Sequence, residues 1–219
     1  MSSSALNHPR LSPILLPELE PGKPAELSAE RSWEFFKFRG GEIADRDLTG
    51  LDVADCRFSN VTMRDTSLRG ATIVDSIIDR LDAPVFSAAG LSLRDVEISD
   101  SRIASAELTD ASLRSVRFSG CKLGYVNLRG AVATDLLFSD CTIEELDIGG
   151  AKLNRVHFER TQLGTLETRG ATLTDVDLRD LSIRKINGIE GLKGATMSPM
   201  QVSDMAETLA SMIGIHTRS

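Results

Sequence analysis

Three histidines (His8, His157, His216) and three cysteines (Cys56, Cys121, Cys141) are the side chains best suited to hold a transition metal or to act as base and nucleophile. Their spacing serves neither purpose. Zinc sites commonly take paired ligands about two to five residues apart, and no two of these six lie that close. No serine or cysteine has a base set beside it in a catalytic arrangement. The glycines recur at steps of twenty and do not form a phosphate loop before a helix. The chain carries no signature of an enzyme, a cofactor or a metal centre.

The chemistry that remains belongs to carboxylates. Asp55, Asp75, Asp95, Asp135 and Asp175 recur at multiples of twenty, interrupted by Ser115 and Arg155. Asp47, Glu107, Asp147 and Glu167 form a second series, and Asp140, Glu144 and Glu145 add a local cluster. Carboxylates in such columns can offer a regular negative surface to a partner. They can also shape turns by accepting hydrogen bonds from their own backbone. Either role requires an element that brings every twentieth residue into register.

That element is written as a refrain. Leu68-Arg69-Gly70-Ala71 returns as Leu128-Arg129-Gly130-Ala131, Ile148-Gly149-Gly150-Ala151 and Thr168-Arg169-Gly170-Ala171, so one structural unit is copied in series. Within it runs a shorter period. Trp33, Phe38, Ile43, Leu48, Val53, Phe58, Met63, Leu68, Ile73 and Ile78 fall at every fifth position; after Ala83 and Ala88 the series resumes at Leu93 and continues to Ile183. Neither a helix nor a single strand has that period. Two residues before each of these stands a smaller companion, which yields interior ladders such as Phe58, Ile78, Ile98, Phe118, Phe138, Phe158 and Leu178 beside Leu51, Ala71, Leu91, Ala111, Ala131, Ala151 and Ala171. Large beside small fills a narrow interior without voids. The glycine at 50, 70, 90, 130, 150 and 170 predicts a corner with positive φ, as in a type II turn, and Asp110 fills the same column.

The units Ala111-Ser112-Leu113-Arg114-Ser115, Val126-Asn127-Leu128-Arg129-Gly130 and Val176-Asp177-Leu178-Arg179-Asp180 resemble the pentapeptide-repeat family, whose unit is approximately Ala-(Asp/Asn)-Leu-X-X. The resemblance implies an all-β solenoid: a right-handed quadrilateral β-helix in which each pentad is one side and four make a coil. Steps of five from 48 to 183 give 28 pentads, hence about seven to eight coils with an atypical one around Trp33, Phe38 and Ile43. Seven coils extend roughly 34 Å at ~4.8 Å each. Cys121 and Cys141 then share one inward column with parallel Cβ vectors, which suits reduced buried thiols better than a disulfide. Asp82-Ala83-Pro84-Val85-Phe86-Ser87-Ala88 is the irregular stretch. There Phe86 can restore volume lost at Ala83 and Ala88, and Pro84 removes one ladder donor.

The ends differ from the coil at 31–190. Residues 1–30 hold five of the seven prolines and read as an extended or disordered arm, whose Leu11, Ile14, Leu15, Leu16 and Leu19 could dock elsewhere or fold back on the domain. In 191–219, Ser198-Pro199 looks like a helix start and Gly214 a stop, with Val202, Met205, Ala206, Leu209, Met212 and Ile213 on one face. Stacked repeats need a cap, and in the quinolone-resistance relatives a C-terminal helix makes the dimer contact. The resemblance thus implies a helix that caps, dimerises or does both, and a homodimer is expected.

Composition bounds the partner. Lys+Arg 25 against Asp+Glu 32 gives −7, which disfavours nonspecific binding to DNA or an anionic membrane. No run of eighteen apolar residues exists and the N-terminus lacks the regions of a signal peptide, so a soluble cytoplasmic protein is expected. The expected role is a non-enzymatic scaffold for protein–protein interaction. The family resemblance supplies a specific alternative: several quinolone-resistance members imitate duplex DNA to engage DNA gyrase or topoisomerase IV. Residues 46–185 hold 22 acidic and 18 basic side chains, a difference of −4. That is about one net charge per ~8 Å, against one per ~1.7 Å in duplex DNA. A structural role for the aspartates at corners therefore ranks ahead of mimicry.

Overall fold

A computed structural model describes residues 6–212 and 214. Its strands pair in parallel at steps of twenty residues. Ser92–Ser99 lies between Thr72–Asp79 and Ser112–Ser119, with Leu93 beside both Ile73 and Leu113. The ladders build one twelve-stranded and one eight-stranded sheet, and the chain winds as a parallel β-solenoid of about nine turns.

The additional turns come from both ends, where the register departs from twenty. Glu20–Gly22 pairs with Phe36–Arg39 at a step of sixteen (Glu20 to Phe36), and Ala195–Thr196 pairs with the last full coil at a step of nineteen (Val176 to Ala195). The segment read as an arm therefore divides. Residues 20–28 are part of the solenoid's end. Leu27 and Trp33 are buried, the Trp33 indole donates to Ser28 O, and the Arg46 guanidinium donates to Ala25 O and Leu27 O. These contacts cover the first coil's open core, which an exposed apolar end requires. Residues 6–19 lie without regular structure and touch the solenoid by polar contacts described below.

The period-five series is the core. Phe118, Phe138 and Phe158 stack face to face with centroids 4.9 and 5.1 Å apart, one coil per ring. Beside them Ala111, Ala131 and Ala151 are buried. Gly130 has φ +68°, and the Ala131 N–H donates to Leu128 O at 3.0 Å to close the turn. Asp110 takes φ +56° in the same column.

Pro84 does not interrupt its strand. It lies inside the continuous strand Asp82–Ser87, at a position where the register passes from Ala83–Ile103 to Val85–Ser105 without pairing. On the side of the preceding coil, Thr62–Arg64 pairs with this strand only at Asp82, so the ladder stops short of the position where residue 84 would supply an N–H. Phe86 is buried beside Ala83 and Ala88 and supplies the missing volume.

At the C-terminus the start of the helix is as the sequence indicates: Ser198 and Gln201 form a reciprocal capping box with Pro199 in the first turn. The body differs. Two short helices, α1 (Pro199–Asp204) and α2 (Ala206–Met212), meet at Met205, with no glycine or proline to explain the break. Met205 and Leu209 are half-buried, whereas Val202 is 46% exposed and Ala206 is also exposed; Ile213 lies outside the described residues. The last coil is met by residues 189–201. There Gln201 Nε2 donates to Leu178 O at 2.7 Å and Leu181 O at 2.9 Å.

Candidate binding face

The first carboxylate column is a corner with a backbone reason for aspartate. Asp55, Asp75, Asp95, Ser115, Asp135, Arg155 and Asp175 all have φ between +47° and +61°. That left-handed region is costly for most residues with a Cβ and least so for Asp and Asn. The expected hydrogen bonds to the aspartates' own backbone occur elsewhere. In the second column Asp47 accepts from Thr49 N (3.0 Å), and Asp147 from Gly149 N (2.8 Å); Asp177 does likewise for Arg179 N (3.1 Å). These residues sit just before a tight turn, where a carboxylate meets the N–H two positions on.

In the C-terminal half of the first column Asp135 is paired with an arginine, whereas Asp175 accepts from the neutral Asn7 amide. Arg155 donates through Nε and Nη2 to the two oxygens of Asp135 at 2.6 and 2.7 Å. Burial opposes the charge on Asp135, but the Arg155 guanidinium and the Arg10 N–H together hold its carboxyl below the usual range. Asp140 is gripped by Arg160 in the same two-bonded way at 2.7 Å, which lowers its pKa. Asp147 carries Arg129 at 3.1 Å, Glu107 accepts from Asn127 at 3.0 Å, and Glu167 accepts from the Asn187 amide.

The N-terminal half is different. Asp55, Asp75 and Asp95 stand on successive coils, and burial together with repulsion from Asp95 and Asp55 pushes the Asp75 carboxyl up, against a smaller opposing effect of Arg94. Glu144 is exposed and Glu145 half-buried on the other sheet.

Several participants escaped the sequence reading. Asn7 Nδ2 donates to Asp175 Oδ2 at 2.8 Å, Arg10 N donates to Asp135 Oδ1 at 2.9 Å, and between them the Nδ1 atoms of His8 and His157 lie 3.3 Å apart. His157 Nε2 is 3.3 Å from Asp177 Oδ2, while Arg179 holds Asp177 low despite burial. Asp79 is a buried carboxylate between Arg57 and Arg80, at 2.9 and 2.5 Å. Nothing in residue spacing links an arm residue to a coil, so the contacts of Asn7, His8 and Arg10 had no signal, whereas His157 and Asp177 stand a full twenty-residue step apart.

Cys56, Cys121 and Cys141 are buried free thiols. Burial pushes Cys56 up, while Cys121 and Cys141 act on each other in opposite directions, raising Cys121 and lowering Cys141. Among the described residues no group of three or more His, Cys, Asp or Glu is placed to hold a metal ion, and no helix is long and apolar enough to cross a membrane.

The model of the pentapeptide-repeat family matches residues 92–130 and 111–145, with 8 copies. No curated protein matches. Among solved structures the chain is similar to full-length QnrB1, a plasmid-mediated fluoroquinolone resistance protein (16% identity, TM-score 0.29, covering 87% of this chain and 94% of that one). It is also similar to HetL, a pentapeptide-repeat protein involved in heterocyst differentiation regulation from the cyanobacterium Nostoc sp. strain PCC 7120 (18% identity, TM-score 0.25, covering 76% and 91%). Likeness at that level carries no argument about a partner. The match to the pentapeptide-repeat family covers 92–145, and the five-residue register in which those repeats are set runs on through the buried positions of the rest of the coil.

Proposed function

We propose that the chain is a non-enzymatic scaffold that binds a protein partner through one face of its solenoid. The observation that supports this is the Asp55, Asp75, Asp95 stack, in which the ladder holds like charges on successive coils and raises Asp75. A basic partner surface would relieve that repulsion. The test is affinity capture with the wild-type chain and with Asp55, Asp75 and Asp95 all changed to Ser, the residue found at this corner in position 115. A partner retained by the first and lost by the second supports the reading; identical capture by both overturns it.

The same stack favours a second reading, in which the acidic corner imitates duplex DNA before DNA gyrase or topoisomerase IV. The arginines at 129, 155, 160 and 179 weigh against it, because they cancel acidic charge at Asp147, Asp135, Asp140 and Asp177 in turn, leaving a mixed surface beyond the stack. Gyrase supercoiling with and without a fluoroquinolone decides: neither inhibition nor protection by the purified chain removes this target. A homodimer through α1 and α2 belongs to the same proposal, with Val202 as an exposed apolar contact. Deleting residues 197–219 should then halve the solution mass, and a monomeric mass for both chains would sink it.

A further inference from the structure

Residues 7–10 span two coils. Their contacts fall on Asp175, His157 and Asp135, positions twenty or so residues apart, so the segment runs along the solenoid axis. Two coils measure ~9.6 Å, and three extended residues reach about 10 Å. The fit between an extended peptide and the coil spacing is thus geometric. The hydrogen-bonding groups are a side-chain amide, an imidazole and a backbone N–H, with the Arg10 charge adding to the pull on Asp135; the His8 ring also packs on His157 with centroids 5.1 Å apart, and Pro9 is half-buried. Asn7, His8 and Arg10 are exposed. Residues 20–28, by contrast, are fixed by strand pairing and by buried Pro24 and Leu27. A segment held by three polar bonds, two of them exposed, opens at lower free-energy cost than the end cap, which opens only with the fold. The receiving groups do not depend on the segment, since Arg155 fixes Asp135 and Asp177 lies against His157.

We propose that Asp135, His157 and Asp175 form a docking surface for an extended, basic, N–H-rich peptide segment of a protein partner, and that residues 7–10 occupy it in cis as a strap which that segment displaces. The proposal rests on the scaffold reading and adds a second site to it, further along the same corner column as the Asp55, Asp75, Asp95 stack.

The probe is a fluorescent peptide with the sequence of residues 6–12, titrated by anisotropy into full-length protein. A tethered segment competes at an effective concentration on the order of millimolar. The wild-type chain should therefore bind the peptide about tenfold or more weakly than the variant Asn7→Ala/His8→Ala/Arg10→Pro, in which proline removes the donor to Asp135. Adding Asp175→Ser to that variant should abolish binding, with far-UV circular dichroism confirming the fold. Equal affinity for wild type and strap variant, no binding to the strap variant, or binding indifferent to Asp175→Ser would each overturn the proposal. If a partner is captured in the Asp55, Asp75, Asp95 comparison while the peptide fails, the strap falls and the scaffold stands.

Discussion

Arg155 reaches back one coil to Asp135 and closes two bonds on its carboxylate, at 2.6 and 2.7 Å, although both residues occupy left-handed corners of the same column. A column that reads as acidic in sequence thereby becomes a structural ion pair at its centre. The Asp135 side chain is only 8% exposed, so its charge depends on that arginine. Arg155→Ser keeps a residue this corner already holds at Ser115 and should cost about 1–3 kcal/mol in urea denaturation, the usual penalty for stripping a partner from a buried polar group. Combining it with Asp135→Ser should cost less than the sum of the two single changes; strict additivity would show that the pair is not coupled. The folded pKa of Asp135 is depressed, so its stabilisation is present above the unfolded value of 3.8 and fades as pH falls through the folded value. The penalty of Arg155→Ser should shrink over that same acidic interval.

Asp75 predicts the opposite sign. Its folded pKa is raised by burial and by Asp95 and Asp55, so the folded state favours the protonated form. The charge then weighs on stability at neutral pH, and the burden disappears below the unfolded value of 3.8. Asp75→Asn removes the charge and keeps a side chain tolerant of positive φ, as Asn60 at +55° shows in the adjacent corner column. The variant should melt higher than wild type at pH 7 and equal to it near pH 3, by calorimetry. A lower melting point at pH 7 would mean that the stacked carboxylates are not in conflict.

The fold was legible because it repeats. A core position such as Phe138 is announced by Phe118 and Phe158 in the same register, and a corner such as Gly130 by glycines at the same phase. Single events had no such echo. Leu27 caps the first coil from within a proline-rich stretch, and Met205 divides the terminal helix without a breaker residue. The candidate face was half legible: its columns follow from the period, but ionic pairing is decided by side-chain reach across coils. Arg155 and Arg160 each stand one twenty-residue step from Asp135 and Asp140, but the period alone does not say whether the guanidinium reaches back to that coil or forward to the next.

The phenylalanine stack should dominate the central coils. Phe138 is 1% exposed and lies between two parallel rings at 4.9 and 5.1 Å. Phe138→Ala removes both ring contacts and leaves a cavity the stiff ladder cannot close, so about 3–5 kcal/mol should be lost in urea denaturation. The outward neighbour Val132, 50% exposed, should tolerate Ala within about 0.5 kcal/mol. Comparable losses at the two sites would contradict a core carried by the inward column.

Two glycines separate backbone strain from close approach. Gly170 has φ +74°, and a Cβ there would come no nearer than 3.7 Å to any atom of the neighbouring coil. Alanine at that corner should cost about 1–2 kcal/mol through the left-handed backbone alone, and asparagine, which tolerates that region, should cost less. Gly124 lies outside the twenty-residue glycine column and needs no positive φ, yet a Cβ there would stand 2.1 Å from the Ala104 carbonyl oxygen. Relief requires moving a strand, so Gly124→Ala should cost about 2 kcal/mol or more, by the standards of overpacked sites. Asparagine, bulkier still, should be no better than alanine. The pattern across the four variants is the test: rescue by asparagine at 170 and none at 124. Rescue at both would assign Gly124 to the same conformational requirement as the corners and would remove close coil-to-coil contact as the reason for its glycine.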